Sequence, residues 1–198
     1  VEFNPKIALT YEHNHKNTKM FVDDIRVIEA KDIAGEFEKR DVQCDLVFGG
    51  PPCQGFSMAG KRIRSSFSFL EDERNYLFKE YIRMVEYLQP KVFVIENVPG
   101  ILNYNGGKVE EEIYETFSKM GYKLSSKVLC AANFGVPQMR NRAVFIGNRI
   151  GIDPEKLFPI ETNNVENYVT IRQAISDLPT LEAGTGEEIT YYSKLDEL

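Results

Sequence analysis

The sequence is poor in the residues that build disulfide frameworks and zinc sites. It has three cysteines, none of them in a Cys-x-x-Cys pair, and two histidines, His13 and His15. This set predicts neither a disulfide scaffold nor a metal site, and such scattered cysteines are typical of a reducing compartment. We therefore expect a cytoplasmic protein that binds no metal.

Long apolar runs and an excess of positive charge are also lacking. No apolar run approaches the roughly 18 to 20 residues that a membrane span needs, and no basic segment followed by an apolar one opens the chain. There are 24 Lys and Arg against 30 Asp and Glu, which gives a formal net charge of −6. Because neutralised phosphates dominate nucleic-acid affinity, this balance argues against extensive phosphate contact by these residues.

Apolar residues are sufficient for one core. Of the 198 residues, 42% are hydrophobic, and short apolar runs alternate with amphipathic helical patterns. This arrangement predicts an α/β fold with one domain and an appendage. Helices are predicted after the N-cap Asn4, from Asn75 to Pro90, from Val109 to Met120 and within 170–179. Strands are predicted at 1–3, 19–22, 45–48, 92–95, 122–129 and 143–147.

One stretch leads from a predicted strand into a rigid turn that presents a thiol. Residues 45–48 form a short apolar run of the kind that fills the buried centre of a parallel sheet. Gly49-Gly50 end this run by allowing backbone angles that other residues avoid, and Pro51-Pro52 then stiffen the backbone. Cys53 therefore lies at the carboxyl end of a strand, where open α/β sheets place their ligands.

The three cysteines differ in their neighbours. Cys44 and Cys130 lie beside apolar runs, as small buried hydrophobic residues do. Cys53 is instead flanked by Pro52 and the polar Gln54. Pro52 and Gln54 are poor partners for hydrophobic packing, but they suit the surroundings of a nucleophile.

A resemblance to a known family rests on this stretch and on two later motifs. Gly50-Pro-Pro-Cys-Gln-Gly-Phe-Ser57 resembles the catalytic motif of the DNA cytosine-5 methyltransferases of bacterial restriction-modification systems. Glu96-Asn-Val98 and Gln138-Met-Arg-Asn-Arg142 resemble later motifs of that family, and they follow in its order. Several short motifs in one order are much rarer by chance than any single one. The resemblance extends from Glu2 to about Pro179.

The resemblance implies a fold and a domain arrangement. The fold would be an α/β, Rossmann-like sheet of the S-adenosylmethionine-dependent methyltransferases, incomplete at both ends. Residues 1–150 would form the catalytic domain, and residues 151–198 a connector toward a target recognition domain that this sequence lacks. The family's first strand and its Phe-x-Gly-x-Gly loop should precede Glu2 and are also lacking. We therefore expect the isolated chain to bind its cofactor weakly.

The resemblance also implies three groups of site residues. The catalytic group is Cys53, Glu96, Gln138, Arg140 and Arg142. The group for the cofactor, S-adenosyl-L-methionine, is Glu2, Phe3, Asp24, Ile25, Pro51, Asn75 and Leu77. The substrate group is Pro52, Gln54, Ser57, Asn97 and Val98.

The implied roles follow the chemistry of cytosine, whose C5 is a poor nucleophile. The Cys53 thiolate would add to C6, while Glu96 donates at N3 and Arg142 at O2. Arg140 would lie near the catalytic loop. The base must leave the duplex for this attack, and the polar stretch 61–74 is the loop expected to close over the DNA.

The implied cofactor contacts centre on its adenosine part. Glu2 would bind the ribose hydroxyls, and Phe3 would lie beside the adenine. Asp24 would lie near the adenine amino group, with Ile25 against the ring.

Double-stranded DNA is the expected partner, together with a cognate restriction endonuclease that acts in the same system without direct contact. Two alternatives remain open. One is a relative that methylates cytosine in tRNA, although Gln54-Gly-Phe-Ser57 resembles the form of the DNA enzymes. The other is a non-catalytic or split subunit that binds DNA or a partner chain.

Overall fold

The structure is a computed structural model that describes residues 1–52, 75–178 and 182–184. The predictions for Cys53, Gln54, Ser57 and the stretch 61–74 fall outside the described residues. The turn that leads to Cys53 is described up to Pro52.

Helices and strands alternate along most of the described chain. The helices are α1 (Pro5–Asn14), α2 (Ala30–Glu38), α3 (Tyr76–Leu88), α4 (Gly100–Asn103), α5 (Lys108–Lys119) and α6 (Ile171–Ile175). The strands are β1 (Leu46–Gly49), β2 (Val92–Asn97), β3 (Lys123–Cys130) and β4 (Asn141–Asn148). Short 3-10 helices span Tyr104–Gly107, Ala131–Phe134 and Pro154–Leu157. The elements predicted between Asn75 and Gly147 are confirmed, with ends that differ by about two residues at most. No helix in the described part of the chain is long and apolar enough to span a membrane.

The described chain divides into two compact units. Residues 1–128 and 142–159 form the first unit, which contains most of the sheet. The second unit contains residues 129–141 and the described residues from 160 onward. The predicted boundary at residue 150 stays a prediction about the catalytic domain.

Among the described residues the sheet has four strands, in the order β1-β2-β4-β3. β1 and β2 are parallel, so their carboxyl ends lie at the same edge of the sheet. β4 runs antiparallel to β2 and brings its first residues to that same edge. Outside this sheet, Glu2 forms a single parallel bridge with Val22. The predicted strands at 1–3 and 19–22 are therefore wrong in extent, because among the described residues Glu2 and Val22 are the one bridged pair between them.

β1 lies at the edge of the four-stranded sheet rather than at its centre. Its apolar residues Leu46 and Phe48 are 54% and 68% exposed. The prediction of a central strand is wrong for the described residues, where β2 is the strand beside β1. The sequence of β1, a continuous apolar run, is nevertheless typical of a strand that is covered on both faces.

An aromatic cluster forms the core of the first unit. The Phe93 ring of β2 stacks on Phe117 of α5, with 4.1 Å between ring centroids, and meets Tyr122 edge-on at 5.1 Å. Phe93 also lies against Gly147, where an added Cβ would be only 2.1 Å from the ring. Burying three large rings stabilises the packing of α5 on the sheet. This packing fixes β2 and β4 against α5 and so holds the ends of both strands in place.

A smaller apolar cluster joins α3 to the segment before α2. Ile28 and Ala30 are buried against Met84 of α3, with Ile25 and Leu88 packed around them. The segment from Val22 to Ala30 is therefore attached to the same helix that packs on the sheet.

Local sequence signals set several helix ends, including the predicted N-cap at Asn4. The Asn4 side chain accepts a hydrogen bond from the Lys6 amide at 2.9 Å, and Pro5 is the first residue of α1. Gly121, with φ of 88°, follows the end of α5 as a left-handed glycine.

The second unit is organised around Asn133 and a capped helix. The Asn133 carbonyl accepts the amides of Thr162 and Asn163, each at 2.9 Å, and its side-chain oxygen accepts the Tyr168 hydroxyl at 2.6 Å. α6 starts with a reciprocal capping box. In this box Thr170 Oγ1 accepts the amide of Gln173, and Gln173 Oε1 accepts the amide of Thr170.

Candidate active site

The turn after β1 is tied to the end of β2 by Asn97. This side chain is only 6% exposed, and its amide nitrogen donates to the Pro51 carbonyl at 2.9 Å. Its oxygen accepts the Val98 amide, also at 2.9 Å. Both polar groups of Asn97 are therefore used to hold the backbone of two strand ends. Asn97 therefore fixes the backbone at Pro51, two residues before Cys53 in the sequence.

Glu96 and Arg142 form an ion pair at the same edge of the sheet. The Arg142 Nε lies 2.7 Å from Glu96 Oε1, and the two side chains are 25% and 34% exposed. The antiparallel register pairs Glu96 with Val144, so Arg142 lies diagonally across on the same face. A carboxyl group and a guanidinium held side by side can engage two adjacent polar atoms of one ligand.

Gly50 brings the turn close to Glu96. A Cβ added at Gly50 would lie 3.4 Å from Glu96 Oε2 and 3.5 Å from the Glu96 carbonyl oxygen. The carboxyl group therefore lies against the turn that continues into Cys53. Of the predicted catalytic residues, the structure brings Glu96 and Arg142 together beside this turn.

Gly49 serves close packing rather than an unusual backbone angle. Neither its φ nor that of Gly50 is among the positive values, so that part of the prediction is wrong for both glycines. A Cβ at Gly49 would instead lie 2.8 Å from Cε2 of the Tyr81 ring. The Tyr81 hydroxyl is within 3.1 Å of the Val47 carbonyl and 3.0 Å of the Val94 carbonyl, so it bridges β1 and β2. Burial raises the pKa of Tyr81, so its hydroxyl keeps the proton that it donates.

A cleft of about 790 Å³ lies between β1, α3 and the segments around Glu2 and Asp24. Its lining brings together six of the predicted cofactor residues, namely Glu2, Phe3, Asp24, Ile25, Pro51 and Leu77, as well as Pro52 of the predicted substrate group. Carboxylates and apolar side chains thus face one volume. Such a lining fits a ligand with hydroxyl and amino donors on a flat apolar ring.

Asp24 is held by a neighbouring arginine. Arg26 Nε lies 2.9 Å from Asp24 Oδ1, and Arg26 Nη2 lies 2.5 Å from Oδ2. These hydrogen bonds lower the pKa of Asp24 from 3.8 to about 2, and the same pairing raises the pKa of Arg26. The guanidinium carbon of Arg26 is also 4.9 Å from the centroid of the Tyr76 ring. Asp24 therefore faces the cleft as a carboxylate at neutral pH.

Glu2 is fixed by the start of α1. Its Oε1 accepts the amide of Asn4 at 2.7 Å. Phe3 beside it is 73% exposed, so its ring is available on the cleft wall. The strand end and the helix start thus orient the carboxylate of Glu2 without burying it.

The remaining predicted residues are placed in different ways. Asn75 is 3% exposed at the N-cap of α3 and does not line the cleft, whereas Val98 is 42% exposed after β2. Gln138 and Arg140 are exposed residues of the second unit. There the Arg140 carbonyl accepts the Ala131 amide at 2.9 Å, so the segment folds back on itself.

Three residues that contribute to this site were not predicted from the sequence. They are Arg26, Tyr76 and Tyr81. The Asp-x-Arg spacing in a short turn could have indicated the Arg26 contact. Tyr81 was predicted only as part of the helix from Asn75 to Pro90, because its hydroxyl partners come from two strands distant in sequence.

Comparison with known proteins identifies relatives of the whole chain. Residues 1–196 match the family of C-5 cytosine-specific DNA methylases. The Type II methyltransferase M1.HphI of Haemophilus parahaemolyticus is 43% identical over 196 residues, which cover 99% of this chain and 50% of that protein. The Type II methyltransferase M.DdeI of Desulfomicrobium norvegicum is 38% identical and covers 92% of this chain and 43% of that protein.

A solved structure supports the same assignment. The crystal structure of a prophage-encoded DNA modification methyltransferase from E. coli superposes with a TM-score of 0.68 at 29% identity. It covers 91% of this chain and 48% of that chain, so the predicted α/β, Rossmann-like class is confirmed. The chain spans about half the length of the curated relatives that it matches. The sequence motifs, the fold and these matches agree, and the chain belongs to the C-5 cytosine-specific DNA methylase family.

Proposed function

We propose that the protein transfers a methyl group from S-adenosyl-L-methionine to C5 of a cytosine that has been flipped out of DNA. The observation that carries this proposal is the Glu96–Arg142 pair, held 2.7 Å apart beside the turn that leads to Cys53. Membership of the C-5 cytosine-specific DNA methylase family supports the choice of cytosine and of DNA. The pair would supply two neighbouring hydrogen-bond donors, which a thiolate attack on cytosine requires.

Cytosine presents N3 and O2 side by side, and both gain negative charge when a nucleophile adds to C6. Glu96 would donate a proton or hydrogen bond at N3, and Arg142 would donate at O2. Cys53, as the thiolate, would form the bond to C6 and make C5 nucleophilic. After methylation the C5 proton leaves to water, and the Cys53–C6 bond breaks as the C5–C6 double bond re-forms. The thiolate is regenerated, and Glu96 recovers the proton that it donated at N3.

The cleft fits the adenosyl part of the cofactor. Glu2 would accept hydrogen bonds from the ribose hydroxyls, and Asp24 from the adenine amino group. Phe3 and Ile25 would pack on the purine ring, and all four residues line the same volume. When bound there, S-adenosyl-L-methionine would supply the electrophilic methyl group and would leave as S-adenosyl-L-homocysteine once its sulfur–methyl bond is broken.

Other predicted residues would support these steps. Pro51 and Leu77 would shape the cofactor side, Asn75 would act on it through the start of α3, and Gln138 and Arg140 would take part in catalysis. Pro52, Gln54, Ser57, Asn97 and Val98 would border the flipped base. Extruding the base costs a few kcal/mol, which contacts of this kind would offset.

We also propose that residues 1–150 act as the catalytic domain and that 151–198 lead toward a target recognition domain. Double-stranded DNA would be the partner, in the cytoplasm. The names of M1.HphI and M.DdeI as Type II methyltransferases support a restriction-modification setting. A cognate endonuclease would then act on the same DNA without touching this protein.

A trapping experiment tests the mechanism. The intact protein is mixed with S-adenosyl-L-methionine and a mixed-sequence DNA duplex that contains 5-fluorocytosine, and denaturation-resistant adducts are measured by mass. Fluorine cannot leave C5 as a proton does, so the covalent intermediate accumulates. We expect an adduct with the wild-type protein and with Cys130→Ala, but none with Cys53→Ala.

The same assay with 5-fluorocytosine in tRNA separates the substrates. An adduct with tRNA alone would overturn the choice of DNA. An adduct that persists in Cys53→Ala would overturn the role of this thiol. If neither nucleic acid gave an adduct, the covalent mechanism would be wrong.

A further inference from the structure

Arg83 of α3 joins that helix to the turn that carries Asp24. Its Nη2 donates to two main-chain carbonyls, those of Ile25 at 2.8 Å and Ile28 at 3.0 Å. Its Nε donates to Glu80 Oε2 at 2.7 Å. The side chain of Glu80 is 20% exposed and that of Arg83 is 36% exposed, so these contacts are partly shielded from water. The Arg83 guanidinium therefore spans the backbone of residues 25–28.

The turn that Arg83 holds is short and faces the cleft. It runs from Asp23 to Ile28, and the Val27 amide donates to the Asp24 carbonyl at 3.0 Å. Asp24 and Ile25 line the cleft from this turn, while Leu77 and Tyr81 line it from α3. The position of the turn relative to α3 thus sets the width of the cleft.

Two contacts flank the guanidinium and restrict the turn further. Ile28 is buried against Met84, which fixes the far end of the turn. Arg26 lies over the Tyr76 ring at 4.9 Å, which fixes the near end while Arg26 holds Asp24. Between these two contacts, the carbonyls of Ile25 and Ile28 both accept hydrogen bonds from Arg83. The hydrogen bonds of the Arg83 guanidinium therefore join the turn to α3 and set the distance of Asp24 and Ile25 from that helix.

We propose that Arg83 is a positioning residue that fixes Asp24 and Ile25 for recognition of the adenine base. This inference rests on the proposed function, because it assumes that the cleft takes the adenosyl group. Arg83 suits the task because its planar fork donates to two carbonyls at once, whereas a lysine is a point charge on a flexible stem. Charge-assisted hydrogen bonds of this kind are about twice as strong as neutral ones. Losing them would let the turn drift and weaken adenine recognition.

Calorimetry of the intact protein with two ligands tests the proposal. The ligands are S-adenosylhomocysteine and S-inosylhomocysteine, which differ in that a carbonyl oxygen replaces the adenine amino group. We expect Arg83→Met to lower the affinity for S-adenosylhomocysteine about tenfold, which corresponds to about 1.4 kcal/mol of binding free energy. The affinity for S-inosylhomocysteine should fall by a smaller factor, so the preference for the adenine base decreases. Both affinities of Arg83→Lys should lie between those of wild type and those of Arg83→Met.

Matched controls separate positioning from general damage. Arg40→Met removes an exposed arginine near the end of α2 and should change neither affinity. Amide hydrogen exchange of residues 25–28 should become faster in Arg83→Met, while the amides of β2 keep their protection. If Arg83→Met fails to fold, Arg83→Lys provides the same comparison.

Each outcome decides something different. If wild type binds S-adenosylhomocysteine and the Arg83 variants bind both ligands as wild type does, the positioning role is wrong while the proposed function stands. If both ligands weaken equally, Arg83 is merely structural, and the proposal is overturned. If wild type binds neither ligand, the proposed cofactor site itself is wrong.

Discussion

The side-chain amide of Asn97 donates a hydrogen bond to the main-chain carbonyl of Pro51 at 2.9 Å, across the ends of two parallel strands. Both residues are buried. The bond has no local sequence origin, because it depends on β1 and β2 being neighbours. It makes the position of the turn before Cys53 depend on β2, the strand that also carries Glu96.

Asn97→Ala should therefore affect both stability and reactivity. Loss of the donor leaves the buried Pro51 carbonyl without this bond, which costs about 1–3 kcal/mol in the free energy of unfolding. Urea denaturation measures this loss, and the rate of adduct formation with 5-fluorocytosine DNA should fall as the turn loosens. Asn17→Ala, at an exposed asparagine, is the control and should change neither quantity. An Asn97→Ala protein as stable as wild type would refute the structural role.

Glu96→Gln should separate catalysis from folding. The substitution keeps the shape of the side chain but removes the carboxyl group that would pass a proton to N3, and loss of a general acid typically slows a reaction about 10²–10⁴-fold. The pair with Arg142 is partly exposed, so the free energy of unfolding should change by about 1 kcal/mol at most.

Single-turnover methylation and thermal unfolding measure the two effects of Glu96→Gln. The control is Glu115→Gln, which removes another ion-paired carboxylate, 3.7 Å from Lys119 and 72% exposed. Glu115→Gln should methylate at the wild-type rate. A Glu96→Gln rate equal to that of wild type would remove Glu96 from the mechanism.

Local signals made much of the fold predictable. The start of α1 at Asn4-Pro5, the amphipathic pattern of α3 and Gly121 after α5 all follow from interactions within a few residues. The same holds for the strand runs of β2 and β4, whose apolar residues contact the core. Each of these elements was predicted because its cause lies within its own segment.

Features that depend on pairing between distant segments were not predictable in the same way. The run 45–48 indicated a central strand, but the position of β1 depends on which strands flank it, and Leu46 and Phe48 are exposed here. The role of Gly49 was assigned to backbone angles, whereas its cause is the ring of Tyr81. Such contacts exist only once the sheet and α3 are assembled.

The candidate site shows the same division. Motifs indicated Glu96 and Arg142 one by one, but their contact follows from the antiparallel register of β2 and β4. The Arg83 contacts with Ile25 and Ile28 follow from the packing of α3 and were not predicted. Cys53 lies outside the described residues, so its role stays a prediction.

Gly49→Ala should destabilise the first unit. The added methyl would lie 2.8 Å from Cε2 of Tyr81, and that ring cannot move without losing its hydrogen bonds to both strands. Overpacking of this kind costs about 1–3 kcal/mol in the free energy of unfolding.

Urea unfolding of Gly49→Ala against Gly35→Ala tests this packing argument. Gly35 lies inside α2 with nothing within 4 Å of an added Cβ, so its replacement should be neutral or stabilise by up to about 1 kcal/mol. If Gly49→Ala also stabilised the protein, the close approach of Tyr81 would be disproved.

The Asp24–Arg26 pair should show itself in the acid titration of the folded protein. The pKa of Asp24 is about 2, below its ordinary 3.8, because Arg26 hydrogen-bonds the carboxylate. The folded-state pKa is thus lower than that of the unfolded chain. The pair therefore stabilises the fold fully above about pH 4, and this contribution is lost as the pH falls toward 2. Carboxyl ¹³C NMR should place the Asp24 midpoint near 2 in wild type and nearer 3.8 in Arg26→Met.

The comparison variant for this titration is Arg40→Met, which removes an exposed positive charge after α2 and should leave the Asp24 midpoint in place. An Asp24 midpoint that did not move in Arg26→Met would mean that Arg26 is not the cause of the low pKa. The same titration bears on the cofactor. If the Asp24 carboxylate accepts the adenine amino group, the affinity of wild type for S-adenosylhomocysteine should not respond to Asp24 between pH 5 and 8, because the carboxylate stays ionised throughout.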